Sequence, residues 1–347
     1  MRPQAERQPL LAGTSRKRTD LILDPVQSRT MPITTSTTHL LGLRHMSRDR
    51  LIGLLESAAT FLPIVRGEAS GHDQLAGCII ANLFLENSTR TRVSFTVAAH
   101  RLGANTVDLL GSTSSTSKGE TLIDTARNVA AMGVDAIVVR CSASGGAHLI
   151  AEHVSMPVIN AGDGTCEHPT QGLLDTLTLT QSLDTIDLTD RTIGIVGDIG
   201  NSRVARSAAY AMTCLGADVA LIGPPGMVPT TFEALTDDLD SEGRGQIRVC
   251  HDFDEAIPIL DAAMMLRVQF ERGSAVTSDY AAQFGLSEAR ASRLPADAVV
   301  MHPGPVNRGL EIDTEVADGH QSLIMQQVTC GVAVRMAVLM EQLGPHV

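Results

Sequence analysis

Tryptophan is absent from this 347-residue chain, and aromatic residues make up only 3% of it. Basic residues are outnumbered, 27 Lys and Arg against 39 Asp and Glu, for a formal net charge of −12. A nucleic-acid binder needs a basic face for phosphates and aromatics for bases, so that class is excluded. Paired cysteine spacing is missing too. Cys78, Cys141, Cys166, Cys214, Cys250 and Cys330 are scattered with no CxxC, the pattern of reduced core residues and not of a disulfide framework. No apolar run approaches a membrane span. Residues 1–38 lack the continuous apolar core of a secretory signal. They carry Arg2, Arg7, Arg16, Lys17, Arg18 and Arg29 against Glu6, Asp20 and Asp24. Of a transit peptide, a disordered tail and an upstream start with Met31 as the true beginning, the latter two are favoured, and the segment is set outside the fold as a disordered extension.

What is present is the composition of a soluble globular protein, 43% hydrophobic and 19% charged, long enough for two domains. The stretch that stands out is Glu86-Asn87-Ser88-Thr89-Arg90-Thr91-Arg92. An apolar run, Cys78 to Leu85, precedes it and reads as a buried strand. A helical segment, Arg90 to Leu102, follows and stops at Gly103. Strand, polar loop and helix start aim free N–H groups and the positive dipole end outward. One hydroxyl suffices for a helix cap. Three hydroxyls and two guanidiniums within five residues suit a multi-oxygen anion such as phosphate.

The same grammar recurs along the chain. A helix is expected from Ser47 to Ile64, with Ser47 as its cap. Strands are expected at 106–110, 134–139, 157–160, 192–196, 218–222, 262–266 and 298–301. Helices are expected at 120–132, 170–183, 204–215 and 322–343, the first opened by a Ser117/Glu120 capping box. The polar run from Gly111 to Glu120 reads as a mobile surface loop carrying Ser114 and Lys118. Strand–helix alternation implies an α/β fold of two doubly wound parallel-sheet domains with the active site in the crevice between them. Polar groups fall past strand ends, where open α/β sheets bind ligands. They include Ser88, Thr89, Arg90, Thr91, Arg140, His168, Gln171, Arg203, Arg267 and Gln269.

Several chemistries are disfavoured. Gly194, Gly197 and Gly200 do not fit G-x-G-x-x-G, and no acidic residue follows the 218–222 strand to hold a ribose. That leaves Arg203 free for another anion, and no cofactor is expected. Cys166 and His168 lack a second ligand pair at matching spacing, so no metal is expected. No activated nucleophile or carboxylate pair stands out. Such a site binds and orients anions. Arginine groups in two domains point to two anionic substrates and a transfer with phosphate as leaving group.

Ser88-Thr89-Arg90-Thr91-Arg92, Lys118-Gly119-Glu120-Thr121, Asn160-Ala161-Gly162-Asp163-Gly164, His168-Pro169-Thr170-Gln171 and His302-Pro303-Gly304-Pro305-Val306-Asn307-Arg308-Gly309 resemble the aspartate/ornithine carbamoyltransferase family, on its aspartate side. The likeness runs from His39 almost to the C-terminus. The Cys-Leu-Pro loop and Ser-Met-Gly segment of ornithine members are not found. The resemblance implies a cytoplasmic, cofactor-free transferase of pyrimidine biosynthesis, joining carbamoyl phosphate to the amine of L-aspartate. It implies a carbamoyl phosphate-binding domain at 39–170, joined by the C-terminal helix 322–347, and an aspartate-binding domain at 171–321.

By the same resemblance Ser88, Thr89, Arg90 and Thr91 hold phosphate, helped by Arg140. Thr91, Arg140 and His168 polarise the carbamoyl oxygen. Gln171 and the carbonyls of Pro303 and Gly304 hold the carbamoyl amino group. Arg203, Arg267 and Gln269 take the aspartate carboxylates. Ser114 and Lys118 reach a neighbouring subunit's crevice in a homotrimer, with regulatory chains or a dihydroorotase as further partners. Cys141 stands where His is common in the family, and Thr96 where Glu is frequent. The rival readings are a carbamoyltransferase with another amine acceptor, and a catalytically silent scaffold subunit.

Overall fold

The computed structural model describes residues 39–111, 120–236, 245–269 and 279–345. The N-terminal extension and the 112–119 segment, with Ser114, Ser117 and Lys118, lie outside the described residues, so the expectations made for them stay untested. Among the described residues, nine strands form two parallel sheets. The first contains β1 (Ile79–Phe84), β2 (Asn105–Leu110), β3 (Ala136–Cys141) and β4 (Val158–Asp163) in the order β2-β1-β3-β4. The second contains β5 (Thr192–Val196), β6 (Asp218–Ile222), β7 (Ile247–Cys250), β8 (Ala262–Met265) and β9 (Val299–Met301) in the order β7-β6-β5-β8-β9. The expected α/β class and its parallel sheets are what the chain adopts.

Side chains on successive strand residues point to opposite faces. In β1, Ile80 and Phe84 enter one core while Ala81 and Leu83 enter another. Both faces are covered, so the strand reads as an unbroken apolar run. The winding reverses between β1 and β3, and again between β5 and β8. These two switch points leave a gap between diverging loops at the carboxyl ends of the strands.

The covering helices are α1 (Arg48–Arg66), α2 (Thr89–Arg101), α3 (Leu122–Ala131), α4 (Gly146–Ala151), α5 (Pro169–Ser182), α6 (Arg203–Cys214) and α11 (Ile324–Leu343). Four short ones, α7 (Phe253–Ala256), α8 (Tyr280–Phe284), α9 (Glu288–Ala291) and α10 (Thr314–Ala317), lie between α6 and α11. Ser47 caps α1 as expected, its Oγ accepting from Arg50 N at 3.3 Å. Helix α3 opens at Leu122 and not at Glu120. Thr121 is the cap, with its Oγ1 accepting from Asp124 N at 3.1 Å. Glu120 instead accepts from Thr125 Oγ1 at 3.2 Å and Asn128 Nδ2 at 2.6 Å, one step outside the helix. The edge strand β7 and the short helix α4 also have no counterpart in the sequence expectations.

Helix α5 is buried on all sides from Pro169 to Thr180, packed against α1, α6 and α11. A buried helix must satisfy its polar side chains internally. Thr176 and Thr178 do so by donating to the carbonyls of Gly172 and Leu174, at 2.8 and 2.7 Å. Asp175 accepts from Gln171 Nε2 at 2.9 Å and Gln327 Nε2 at 2.7 Å. Arg335 of α11, 3% exposed, supplies the compensating charge and lies over the Phe95 ring at 5.1 Å. Burial pushes the Asp175 carboxyl up to about 7, against the pull of both glutamines and Arg335. Burial also draws Arg335 down to about 10. Removing one member of a buried charge pair strands the other. Arg335→Met should therefore destabilise the fold by about 3 kcal/mol, read as a lowered denaturant midpoint. An unchanged midpoint would show that the two charges do not depend on each other.

Candidate active site

At the first switch point, β1 leads through Leu85–Asn87 into α2. Ser88 occupies the N-cap position, yet its side chain makes no capping bond. Its hydroxyl and those of Thr89 and Thr91 therefore share the first turn with the Arg90 guanidinium, beside the free N–H groups. Arg140 lies opposite Phe84 in β3. Its carbonyl accepts from Leu85 N at 2.8 Å and Glu86 N at 3.3 Å, which ties the β1 loop to the end of β3.

At the second switch point, β5 leads to the turn before α6. Ser202 caps that helix by accepting from Ala205 N at 3.1 Å, and Arg203 is its first residue. Strand β8 runs into Arg267, Val268 and Gln269. Gln269 Nε2 donates to Asn201 O at 3.1 Å, joining the β8 and β5 loops. Val268 N donates to the buried Glu311 at 2.9 Å, and Asn307 N and Nδ2 donate to the same carboxylate at 2.7 and 2.6 Å. That carboxylate thus couples the β8 loop to the Pro303–Arg308 loop after β9.

The two sheets meet at Glu86. Its Oε1 accepts from Arg140 Nη2 at 2.6 Å and Arg203 Nη2 at 2.5 Å, and its Oε2 accepts from Arg203 Nη1 at 3.1 Å. Arg203 Nη1 also donates to Gly164 O at 3.2 Å. A carboxylate of the first sheet thus lies against Arg203. Gly162 makes this approach possible. Its φ is +112°, and a Cβ there would stand 2.9 Å from Arg203 Nε and 3.1 Å from Arg140 Nη1. Across the site, Arg90 lies against Gly304, where φ is +68° and a Cβ would fall 2.6 Å from Arg90 Nη1.

The guanidiniums thus fall in two groups, Arg140 with Arg203 and Arg90 with Arg267, and they perturb their neighbours. Burial and then Arg267 lower the pKa of Arg90. Burial holds His168 well below the ordinary histidine value, reinforced by Arg140, Arg203 and Arg335. His302 is pushed down to about 3 by burial, Arg90 and Arg267. Both imidazoles are neutral at physiological pH and can only exchange hydrogen bonds. The backbone of His168 is fixed by donation to Ser207 Oγ at 2.9 Å, and that hydroxyl donates to Glu167 at 2.9 Å. The arrangement binds and polarises anions. It offers fixed positive charge and neutral donors.

The structure brings together Ser88, Thr89, Arg90 and Thr91 on one turn, Arg140 and His168 near Arg203, Arg267 near Arg90 and His302, and Gln269 on the loop of Asn201. Ser114 and Lys118 lie outside the described residues. Sequence reasoning missed Glu86 as an arginine partner, and Asp175 and Glu311 as supports for the loops. A lone acidic residue carries no local signal, since its partners are distant in the chain.

Residues 38–181 match the family described as aspartate/ornithine carbamoyltransferase, carbamoyl-P binding domain, and residues 189–341 match the Asp/Orn binding domain of that family. The chain is 49% identical over 305 residues to the aspartate carbamoyltransferase catalytic subunit of Myxococcus xanthus, covering 87% of this chain and 98% of that one. It is 47% identical over 304 residues to the Geobacter sulfurreducens catalytic subunit, covering 86% and 94%. Among solved structures, aspartate transcarbamoylase from Trypanosoma cruzi in complex with carbamoyl phosphate and aspartate superposes with a TM-score of 0.80 at 29% identity, covering 89% and 97%. Ornithine carbamoyltransferase from Pyrococcus furiosus gives the same TM-score and identity, covering 90% and 98%. The chain belongs to the aspartate/ornithine carbamoyltransferase family.

Proposed function

We infer that this chain transfers the carbamoyl group of carbamoyl phosphate to the amine of L-aspartate, giving N-carbamoyl-L-aspartate and phosphate, a reaction of pyrimidine biosynthesis. One observation carries the choice of acceptor. Arg203 and Arg267, from the two loops at the second switch point, join Arg90 and Arg140 from the first. A dicarboxylate is attracted to that set. The second ammonium of ornithine would meet guanidiniums and be repelled. The fold does not separate the two acceptors, since both kinds of solved structure superpose equally well.

The division of labour follows from position. Residues 39–170 with the C-terminal helix 322–347 would bind carbamoyl phosphate, and residues 171–321 aspartate. The packing of α11 on α1 and α2 supports that grouping. The N–H groups and hydroxyls of Ser88, Thr89 and Thr91 would take the phosphate together with Arg90 and Arg140. Thr91, Arg140 and His168 would donate to the carbamoyl oxygen and stabilise negative charge on it as the amine attacks. Gln171 and the carbonyls of Pro303 and Gly304 would accept from the carbamoyl amino group. Arg203, Arg267 and Gln269 would hold the aspartate carboxylates. As the C–N bond forms, the C–O bond to phosphate breaks and the departing phosphate keeps the electron pair. That oxyanion is also the natural acceptor of the ammonium proton, because the neighbouring histidines are strongly disfavoured as bases.

A homotrimer with shared active sites is the proposed assembly, in the cytoplasm. Val93 and Val97 of α2 and Val107 of the edge strand β2 are 48%, 37% and 46% exposed. The Arg92–Asp108 pair at 2.5 Å joins those two elements. An open strand edge beside exposed valines is a surface that a second copy would cover. The segment after β2 carries Ser114 and Lys118, which would enter the neighbouring crevice.

Three outcomes are expected. Purified protein given carbamoyl phosphate should form carbamoyl-aspartate with L-aspartate and no product with L-ornithine; product with ornithine alone would reverse the acceptor assignment. Arg267→Ala should raise the aspartate KM at least about tenfold while changing that of carbamoyl phosphate far less. Wild-type aspartate kinetics would remove Arg267 from the site. Lys118→Ala and His168→Ala proteins, each inactive alone, should regain activity when mixed and allowed to exchange subunits. Exchange without recovery would count against shared sites.

A further inference from the structure

A hydrogen-bonded chain of side chains runs behind the candidate site, and its polarity is set from one end. The backbone N–H of His302 can only donate, and it does so to Gln327 Oε1 at 2.9 Å. That turns Gln327 Nε2 toward Asp175 Oδ1, at 2.7 Å. Gln171 Nε2 donates to the same oxygen at 2.9 Å. The amide orientations therefore follow from an obligate backbone donor. With Nε2 committed inward, Gln171 is left with Oε1 as its outward group, a pure acceptor. At the other end, Gly304 N donates to His302 Nδ1 at 2.8 Å, which fixes the turn at Gly304.

We propose that Asp175 is a positioning residue for carbamoyl recognition. By accepting from Gln171 it presents Gln171 Oε1 to the carbamoyl amino group, and through Gln327 and His302 it holds the Gly304 turn whose carbonyl accepts from the same group. The inference rests on the reading of Gln171, Pro303 and Gly304 as partners of that amino group. It adds what makes the site specific for an N–H donor. Asp175 is fully buried and touches no substrate; it acts through the two glutamines. An acyl phosphate with methyl in place of the amino group has the same shape and no hydrogen to give. The relay should therefore govern discrimination between carbamoyl phosphate and acetyl phosphate.

The measurement is the ratio of the acetyl phosphate inhibition constant to the carbamoyl phosphate KM, at saturating aspartate. In Asp175→Asn the carboxylate that holds both Nε2 groups is lost; His302 N still holds Gln327 in place, so Gln171, which has no such anchor, is the glutamine set free to turn its Nε2 outward. The ratio should fall about tenfold, the equivalent of one well-made hydrogen bond. Gln327→Met keeps both buried charges and cuts the link to His302, so it should lower the ratio even where Asp175→Asn fails to fold. Gln171→Ala serves as the reference and should lower it as well. A loss of affinity equal for both acyl phosphates, with the ratio unchanged in Asp175→Asn and Gln327→Met but lowered in Gln171→Ala, would overturn the positioning role alone. An unchanged ratio in Gln171→Ala would overturn the reading of Gln171 and the inference with it.

Discussion

Two largely buried guanidiniums share one carboxylate at the junction of the sheets, and the site is arranged around that contact. The side chains of Arg140 and Arg203 are 12% and 7% exposed. Brought together without a counter-charge they would repel strongly in a medium that screens poorly. Glu86 at the end of the first sheet neutralises part of that charge and reaches Arg203 of the second. The same contact that assembles the arginines also links the two halves of the chain. An arriving anion therefore meets a cation cluster whose charge is partly satisfied already. An anion bound there would replace Glu86 in part, and until then Glu86 offsets the cost of holding the two arginines together.

Glycine at two positions is the steric side of this electrostatic arrangement. Gly162 lies where Arg140 and Arg203 approach the end of β4, and Gly304 where Arg90 approaches the β9 loop. Both have positive φ, and at both a methyl group would take the space that a guanidinium occupies. A side chain here would cost twice, in backbone strain and in displaced charge. The end of β4 and the loop after β9 are thus shaped by the arginines they face, though each arginine belongs to a different element.

Much of this was legible in the sequence because strand ends announce themselves. An apolar run that stops abruptly at Ser, Thr or Arg marks both the end of a strand and the start of a polar loop. Arg90, Arg140, Arg203 and Arg267 could each be placed that way. The order of strands could not, and it is the order β2-β1-β3-β4 and β7-β6-β5-β8-β9 that puts all four beside switch points. The start of α3 lies two residues beyond the expected Glu120, since Thr121 is its cap. The short edge strand Ile247–Cys250 has no strong period of its own and takes its conformation from pairing with β6. Asp175 was illegible for a different reason. Its partner Gln327 is 152 residues away, and a carboxylate in the middle of a helix looks solvated until that helix proves to be buried.

The two histidines show how the site separates charge from hydrogen bonding. Burial holds His168 and His302 neutral, reinforced by the guanidiniums near them. Neutral imidazoles can approach a developing oxyanion or a backbone N–H without adding a fifth positive charge to a crowded cluster. The arginines supply charge that is independent of pH over the physiological range. The histidines supply direction, set for His302 by Gly304 N on its Nδ1. A base among the side chains would be a liability here, since any group able to take the amine proton would compete with the departing phosphate for the same arginines. The leaving group is the one species that gains basicity as the C–O bond breaks. A site that fixes charge and direction while holding both histidines neutral leaves the proton to follow it.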